Sequence, residues 1–174
     1  MSSLEGAPGA FSVTLTNHPR YIDPAKCTGC GECSRVCPVT AVNAFDCGLG
    51  VRAATYLKYA QAVPLAYSID RDLCLGCGLC EKVCLAEAVR YGDKPRERVT
   101  KVGAVILAMG NDVFDPSTVP EYAYKDSPNV VTSLEFERIL SASGPYRGRL
   151  MRPYDREEPQ KIAWIQCVGS RSSR

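Results

Sequence analysis

Eight cysteines of this 174-residue chain fall into two runs of identical spacing. The first is Cys27-Thr28-Gly29-Cys30-Gly31-Glu32-Cys33-Ser34-Arg35-Val36-Cys37-Pro38, and the second is Cys74-Leu75-Gly76-Cys77-Gly78-Leu79-Cys80-Glu81-Lys82-Val83-Cys84-Leu85. Both read C-x2-C-x2-C-x3-C, the spacing that ligates [4Fe–4S] cubes. Three thiolates at steps of three let one tight loop reach three different irons. Gly29, Gly31, Gly76 and Gly78 let the backbone come close and aim N–H groups at the sulfides. The fourth cysteine of each run is expected at the start of a helix, pointing away from its own loop, and by the two-cluster pattern it ligates the other cube. That assigns Cys27, Cys30, Cys33 and Cys84 to one cluster, and Cys74, Cys77, Cys80 and Cys37 to the second.

Two other uses of cysteine fit less well. Zinc takes four ligands, usually from two separated C-x2-C pairs, and leaves the surplus cysteines unexplained. Ten cysteines in 174 residues fall short of the ~8–10% density of a disulfide scaffold.

The elements that position the cysteines repeat as well. Tyr21-Ile22-Asp23 precedes the first run as Ser68-Ile69-Asp70 precedes the second, and Ala41-Val42 follows the first as Ala88-Val89 follows the second. Each half reads as short strand, cluster loop, short helix and return strand, the plan of a duplicated bacterial-type ferredoxin with its two clusters side by side. Ile22, Val36, Val42, Ile69, Val83 and Val89 are expected to form its small apolar core. One departure stands out: Pro38 follows Cys37, but Leu85 follows Cys84, which restores an N–H at a position where proline would preset a first helical turn.

Elsewhere the residues carry less chemistry. The connection from Val39 to Tyr67 exceeds what a minimal ferredoxin needs; Val51 to Ala62 is expected to form a short helix before Pro64, with Tyr56 and Tyr59 packing or facing a partner. Cys47, beside Gly48 and Gly50, reads as a spare thiol, and His18 as a solvated loop histidine. Val102 to Gly110 and Lys161 to Val168 are apolar runs of the kind found in strands buried on both faces of a parallel sheet. Thr132-Ser133-Leu134-Glu135 is a capping box opening a helix through Leu140. Phe11 to Thr16 reads as a strand with no neighbour near it in sequence. Such cut-off strands suggest a piece of a larger protein, in which the ferredoxin module is inserted into an α/β domain.

Composition agrees with a small redox module. Hydrophobic residues make up 45% and charged residues 23%, with a formal balance of +2 that gives no sign of a nucleic-acid partner. No run approaches the ~18 apolar residues that span a bilayer, and the first residues lack the features of a signal peptide; the expected location is cytoplasmic, without direct membrane insertion. Glu121 and Glu157 stand isolated or in charged loops, and no acid–base pair or activated nucleophile is evident.

Pro19-Arg20-Tyr21-Ile22-Asp23, the two cysteine runs, Val102 to Gly110, Asn129-Val130-Val131-Thr132-Ser133-Leu134-Glu135-Phe136-Glu137-Arg138 and Ile165-Gln166-Cys167-Val168-Gly169-Ser170-Arg171 together resemble the heterodisulfide reductase A subunit family, from about Pro19 to Arg171. The resemblance implies an α+β two-[4Fe–4S] ferredoxin module inserted in part of an α/β, FAD-binding, thioredoxin-reductase-like domain. Residues 1–19 would end an upstream flavoprotein segment, residues 20–95 would form the ferredoxin domain, and residues 96–174 would belong to a partial flavoprotein domain. It implies electron transfer between FAD and partner subunits in anaerobic metabolism, the partners being heterodisulfide reductase B- and C-like subunits, a hydrogenase or similar proteins. Ala108-Met109-Gly110 matches the short alanine-x-glycine signature of FAD contact; the same residues read equally well as a core strand ending in a glycine turn. No G-x-G-x-x-G occurs in the chain, so by itself it is expected to hold FAD weakly or not at all. Cys167 would open a further cysteine-rich motif in the family, and is expected here as a half-buried free cysteine. On this view the chain is part of an oxidoreductase and, alone, an electron-transfer module without catalysis of its own. The alternatives are a free-standing ferredoxin-like carrier and a structural zinc module that docks partners.

Overall fold

The computed structural model describes residues 1–110 and 112–170; Arg171 of the C-terminal motif lies outside the described residues. In chain order the helices and strands are β1 (Ser3–Ala7), β2 (Ala10–Asn17), α1 (Glu32–Arg35), β3 (Ala41–Val42), β4 (Val51–Arg52), β5 (Thr55–Tyr56), β6 (Ser68–Ile69), α2 (Leu79–Lys82), β7 (Arg96–Val102) and α3 (Ser133–Leu140). They fall into two compact units, one of Met1–Val39 with Ala53–Gly110 and the other of Thr40–Arg52 with Asn111–Arg174.

In the first unit, β1, β2 and β7 form an antiparallel sheet with β2 in the middle. Pro8 and Gly9 make the β1–β2 turn; proline presets the first corner and Gly9, at φ +92°, takes the left-handed second one. The strand expected near Phe11 therefore has a sequence neighbour after all. It also has a distant one, since Phe11 stands opposite Val102 and Asn17 opposite Arg96.

The apolar run Val102 to Gly110 is not a buried strand. The strand is the charged segment Arg96–Val102, and beyond it Ile106, Leu107 and Met109 are exposed. An apolar run makes a strand only where a neighbour completes its ladder, and β2 offers its partners to residues 96–102. Lys161 to Val168 likewise forms no strand among the described residues; Ile162, Trp164 and Ile165 are exposed, with Trp164 set edge-on against Phe136 at 5.6 Å between ring centroids.

The expected duplication is present around the cysteines, with one displacement. In the second half the return strand meets the first half, with Ile22 bridged to Val89, Asp23 N–H donating to the Ala88 carbonyl at 2.8 Å, and Arg90 N–H to that of Tyr21 at 2.8 Å. The matching contact of the first half is made by Ala54 and Thr55 rather than by Ala41 and Val42. Asp70 N–H donates to the Ala54 carbonyl at 2.8 Å, and Thr55 stands opposite Ile69. Ala41-Val42 instead pairs with Val51-Arg52 in the second unit. Residues 40–53 are thus an excursion between α1 and its return strand. Val42, expected in the core, is 66% exposed, while Ala54 is buried at 1%, matching its counterpart Ala88 at 0%. The helix expected over Val51 to Ala62 does not form, because Thr55 and Tyr56 serve as that return strand.

In the second unit α3 begins as expected. Thr132 caps it, accepting from Glu135 N–H at 3.2 Å while the Glu135 carboxylate accepts from Thr132 N–H at 2.6 Å. Asp46, buried on the excursion, receives the Nε and Nη2 of Arg138 at 3.1 and 2.8 Å and the Asn43 amide at 2.6 Å. The Arg138 guanidinium also lies over the Phe45 ring, 4.6 Å from its centroid. Removing one partner of such a pair leaves a buried charge without compensation. Arg138→Met is expected to destabilise this unit by about 3–5 kcal/mol, read as an earlier denaturant midpoint by fluorescence of Trp164.

Candidate iron–sulfur centres

The two cysteine loops fold alike because their sequences make the same backbone demands. In each, the two glycines take positive φ, +71° and +87° at Gly29 and Gly31, +71° and +73° at Gly76 and Gly78. The second of each pair is the left-handed residue just before a four-residue helix, and Val36 and Val83 close those helices with closely similar angles. A side chain at Gly29 would meet Leu65 at 3.0 Å, and one at Gly31 would meet the Tyr67 hydroxyl at 3.0 Å. Asp23 and Asp70 each turn the chain into the loop by accepting from the N–H two residues on, Ala25 at 2.9 Å and Asp72 at 3.2 Å.

The third cysteine of each loop, Cys33 or Cys80, lies inside the short helix, and the fourth follows its end. This differs from the sequence expectation, which put the fourth cysteine at a helix start. Cys37 and Cys84 come after a complete turn, so they leave the loop that carries the first three thiols.

Cys37 lines one pocket together with Cys74, Cys77 and Cys80, closed by Pro38, Ala54, Thr55 and Tyr91. Cys84 packs with Cys27 and Cys33 against the buried cluster of Ile22, Ile69, Cys80 and Ala88. Cys30 and Cys77 are exposed at the rims. In both halves the alanine of the return strand offers its N–H to the fourth cysteine: Ala88 to Cys84 Sγ at 3.4 Å, and Ala54 to Cys37. Gly76 N–H reaches Cys74 Sγ at 3.4 Å, and the Tyr91 hydroxyl lies 3.2 Å from Cys80 Sγ.

Electrostatics mark the same thiols. Burial pushes Cys33 up to about 12, helped by the nearby Cys27, Cys30 and Cys80. Burial also works against a Cys37 thiolate, but the N–H groups of Val39, Thr55 and Ala54 and the Thr55 hydroxyl outweigh it and hold that thiol below its ordinary value. Burial, then the charges of Cys33, Cys30 and Cys27, raise the Tyr67 phenol.

The donor set fits cubes better than single ions. Among the described residues no three His, Cys, Asp or Glu side chains converge to hold one metal ion. Zinc draws four sulfurs to ~2.3 Å from one centre, whereas a cube spreads its thiolates over four irons. The eight run cysteines fit two such groups, held by left-handed glycines with room at Gly76 and Gly78 for a bound body to approach.

Other singled-out residues lie elsewhere. Cys47, left-handed at φ +53°, is half-buried in the second unit. Cys167 is exposed rather than half-buried, because the strand expected around it is absent and its turn, with φ +60°, faces solvent. Ala108, Met109 and Gly110 are exposed loop residues, Met109 at 88%. Leu85, in the place of the second proline, is fully exposed and packs on nothing. Sequence reasoning missed Ala54, Thr55, Tyr91 and Arg71; aligning Ala54-Thr55 rather than Ala41-Val42 with Ala88-Val89 would have found the first two.

No helix among the described residues is long and apolar enough to cross a membrane. Two family models described as "4Fe-4S binding domain" match the chain, one over residues 20–43 and one over 68–89, so the two cysteine runs are [4Fe–4S] binding segments. Along its whole length the chain is 49% identical to the iron-sulfur A subunit of the CoB-CoM heterodisulfide reductase of Methanocaldococcus jannaschii, of which it spans 26%. It is 50% identical, again over its full length and 26% of the relative, to the A subunit of the H(2)/formate:CoB-CoM heterodisulfide,ferredoxin reductase of Methanococcus maripaludis. Over 98% of the chain it is 42% identical to the A subunit of the ferredoxin:CoB-CoM heterodisulfide reductase of Methanosarcina mazei, covering 22% of that protein. The chain spans about a quarter of the length of these relatives, and it is, from end to end, a homologue of that segment of the heterodisulfide reductase A subunits.

Proposed function

We propose that this chain is the electron-relay segment of a larger flavoprotein oxidoreductase of heterodisulfide reductase A type, with one [4Fe–4S] cluster on Cys27, Cys30, Cys33 and Cys84 and a second on Cys74, Cys77, Cys80 and Cys37. The observation that carries it is the placement of Cys37 in the pocket of the opposite loop. That placement supports ligation across the two loops, with the two redox centres side by side. Each cube supplies one-electron chemistry; the protein supplies the rest. Ile22, Ile69 and Ala88 exclude water, the N–H groups of Gly76, Ala54 and Ala88 steady the thiolates, and Cys30 and Cys77 present the rims.

In the whole protein electrons pass between FAD and partner subunits, heterodisulfide reductase B- and C-like proteins or a hydrogenase, in the cytoplasm. The pairing of β2 with β7 supports an inserted module: Asn17 and Arg96 stand opposite each other, so the segment 20–95 leaves and rejoins one sheet at neighbouring points. On that basis 1–19 and 96–174 belong to the flavoprotein domain. The exposed apolar residues Ile106, Leu107, Met109, Ile162 and Ile165 are the surface it would cover, with Ala108-Met109-Gly110 against FAD.

The test is iron and acid-labile sulfide on anaerobically prepared protein, with an EPR spectrum after dithionite. About eight irons per chain and a spectrum of two interacting reduced clusters is the expected result. Zinc, or about four irons, would overturn the relay.

A further inference from the structure

The cysteine sites are not equivalent in the groups that face their sulfurs. Cys27, Cys30, Cys33 and Cys84 receive backbone donors, Ser34 N–H at Cys33 and Ala88 N–H at Cys84, and the Tyr67 phenol stands near the charges of Cys33, Cys30 and Cys27 with its hydroxyl against Gly31. Cys37, Cys74, Cys77 and Cys80 receive backbone donors and, in addition, two hydroxyls. Thr55 turns its hydroxyl to Cys37, and Tyr91 places its own 3.2 Å from Cys80 Sγ. Cys80 is the buried ligand of its loop, so this contact is sheltered from water. The Tyr91 ring is in turn held by a cation: the Arg71 guanidinium lies 5.6 Å from its centroid and 5.4 Å from that of Tyr21. A cation over a phenol ring draws on its electrons and makes the hydroxyl a stronger donor.

We propose that Tyr91, braced by Arg71, donates a hydrogen bond to Cys80 Sγ that raises the reduction potential of the cluster on Cys74, Cys77, Cys80 and Cys37 above that of its neighbour. This rests on the assignment of those cysteines as cluster ligands. The reason is charge. Reduction adds one negative charge that spreads over the thiolates, and a donor or cation at a sulfur stabilises the reduced form more than the oxidised one. One electron leaves the site of Cys27, Cys30, Cys33 and Cys84 and enters the site of Cys80; no bond is made or broken, and Tyr91 keeps its proton. Tyr91 and Arg71 are positioning and tuning residues. Together they give the pair of clusters a polarity that the near-identical cysteine runs lack.

The experiment is a reductive titration of the cluster-loaded chain followed by EPR, comparing the parent with Tyr91→Phe and Arg71→Gln. Both variants should keep about eight irons. In Tyr91→Phe one of the two signals should become about tenfold harder to reduce at a given potential, which is about 59 mV for one electron, while the other stays in place. Arg71→Gln should move the same signal in the same direction by less. Full iron with unmoved potentials in both variants, or a shift upward, overturns the inference and leaves the cluster assignment intact. A parent chain without two clusters sinks the assignment instead. Should Tyr91→Phe lose iron, Arg71→Gln decides, since it leaves the hydroxyl in the pocket.

Discussion

A chain carrying Cys37→Ala with Cys77→Ala should keep one intact [4Fe–4S] cluster, whereas one carrying Cys37→Ala with Cys30→Ala should keep none. The two proteins have lost the same number of thiols and differ only in which cubes those thiols serve. Cys37 stands thirty-seven positions before Cys74 in sequence, so ligation by proximity along the chain would group it with Cys27, Cys30 and Cys33. The fold groups it otherwise. The short helix α1 carries the chain a full turn past Cys33 before Cys37 is reached, and that turn delivers Cys37 to the pocket of Cys74, Cys77 and Cys80. With cross-ligation, Cys37 and Cys77 belong to one cube, so the other is untouched and about four irons remain with a normal reduced spectrum. Cys37 and Cys30 belong to different cubes, and each is left one ligand short. Ligation within each loop predicts the reverse: the Cys37/Cys30 pair would spare a cluster and the Cys37/Cys77 pair would not. Iron analysis with EPR of the reduced proteins separates the two patterns.

The chemistry was legible in the sequence to a degree that the fold was not, and the reason is physical. Cysteine spacing, left-handed glycines and turn-forming aspartates act within a few residues, so Cys27 to Cys37 and Cys74 to Cys84 declare themselves locally, as does the Thr132 capping box. A strand exists only by agreement with a partner, which may lie anywhere in the chain. Val102 to Gly110 has the apolar composition of a buried strand, yet Arg96–Val102, with its alternating charges, holds the place beside β2. Ala41-Val42 has the letters of a return strand, yet Ala54-Thr55 occupies it, because Ala41-Val42 is paired with Val51-Arg52 within the excursion of residues 40–53. The same misplacement hid the Thr55 hydroxyl at Cys37. Tyr91 and Arg71 were invisible for a related reason, as their meaning comes from the Cys80 sulfur and the Tyr91 ring and not from any spacing.

Removing the iron should unfold the region around the cysteines and leave the Asp46–Arg138 unit standing. The buried hydrophobic set beneath the loops is Ile22, Ile69, Cys80 and Ala88, ringed by half-buried cysteines and tyrosines. Burying two branched side chains and an alanine yields only a few kcal/mol at ~25 cal/mol per Å². Fixing the backbone of the loops costs about 1–2 kcal/mol for each residue ordered. The short strands and four-residue helices there cannot close that gap, since isolated helices shorter than about 12 residues are marginal even in favourable sequences. Cluster ligation therefore has to supply folding energy directly, as metal binding does in other small metal-dependent domains. Chelation under oxidising conditions is expected to abolish the cooperative thermal transition of this region and to open the loops around Cys27 to Cys37 and Cys74 to Cys84 to limited proteolysis. Ile139 and Tyr146, buried in the other unit without any help from a metal, should stay protected. Hydrogen exchange by mass spectrometry reads both regions in one experiment. Retained protection at Ile69 and Ala88 in the iron-free protein would mean that the loops are preformed, and that the clusters add redox chemistry to a scaffold already able to stand alone.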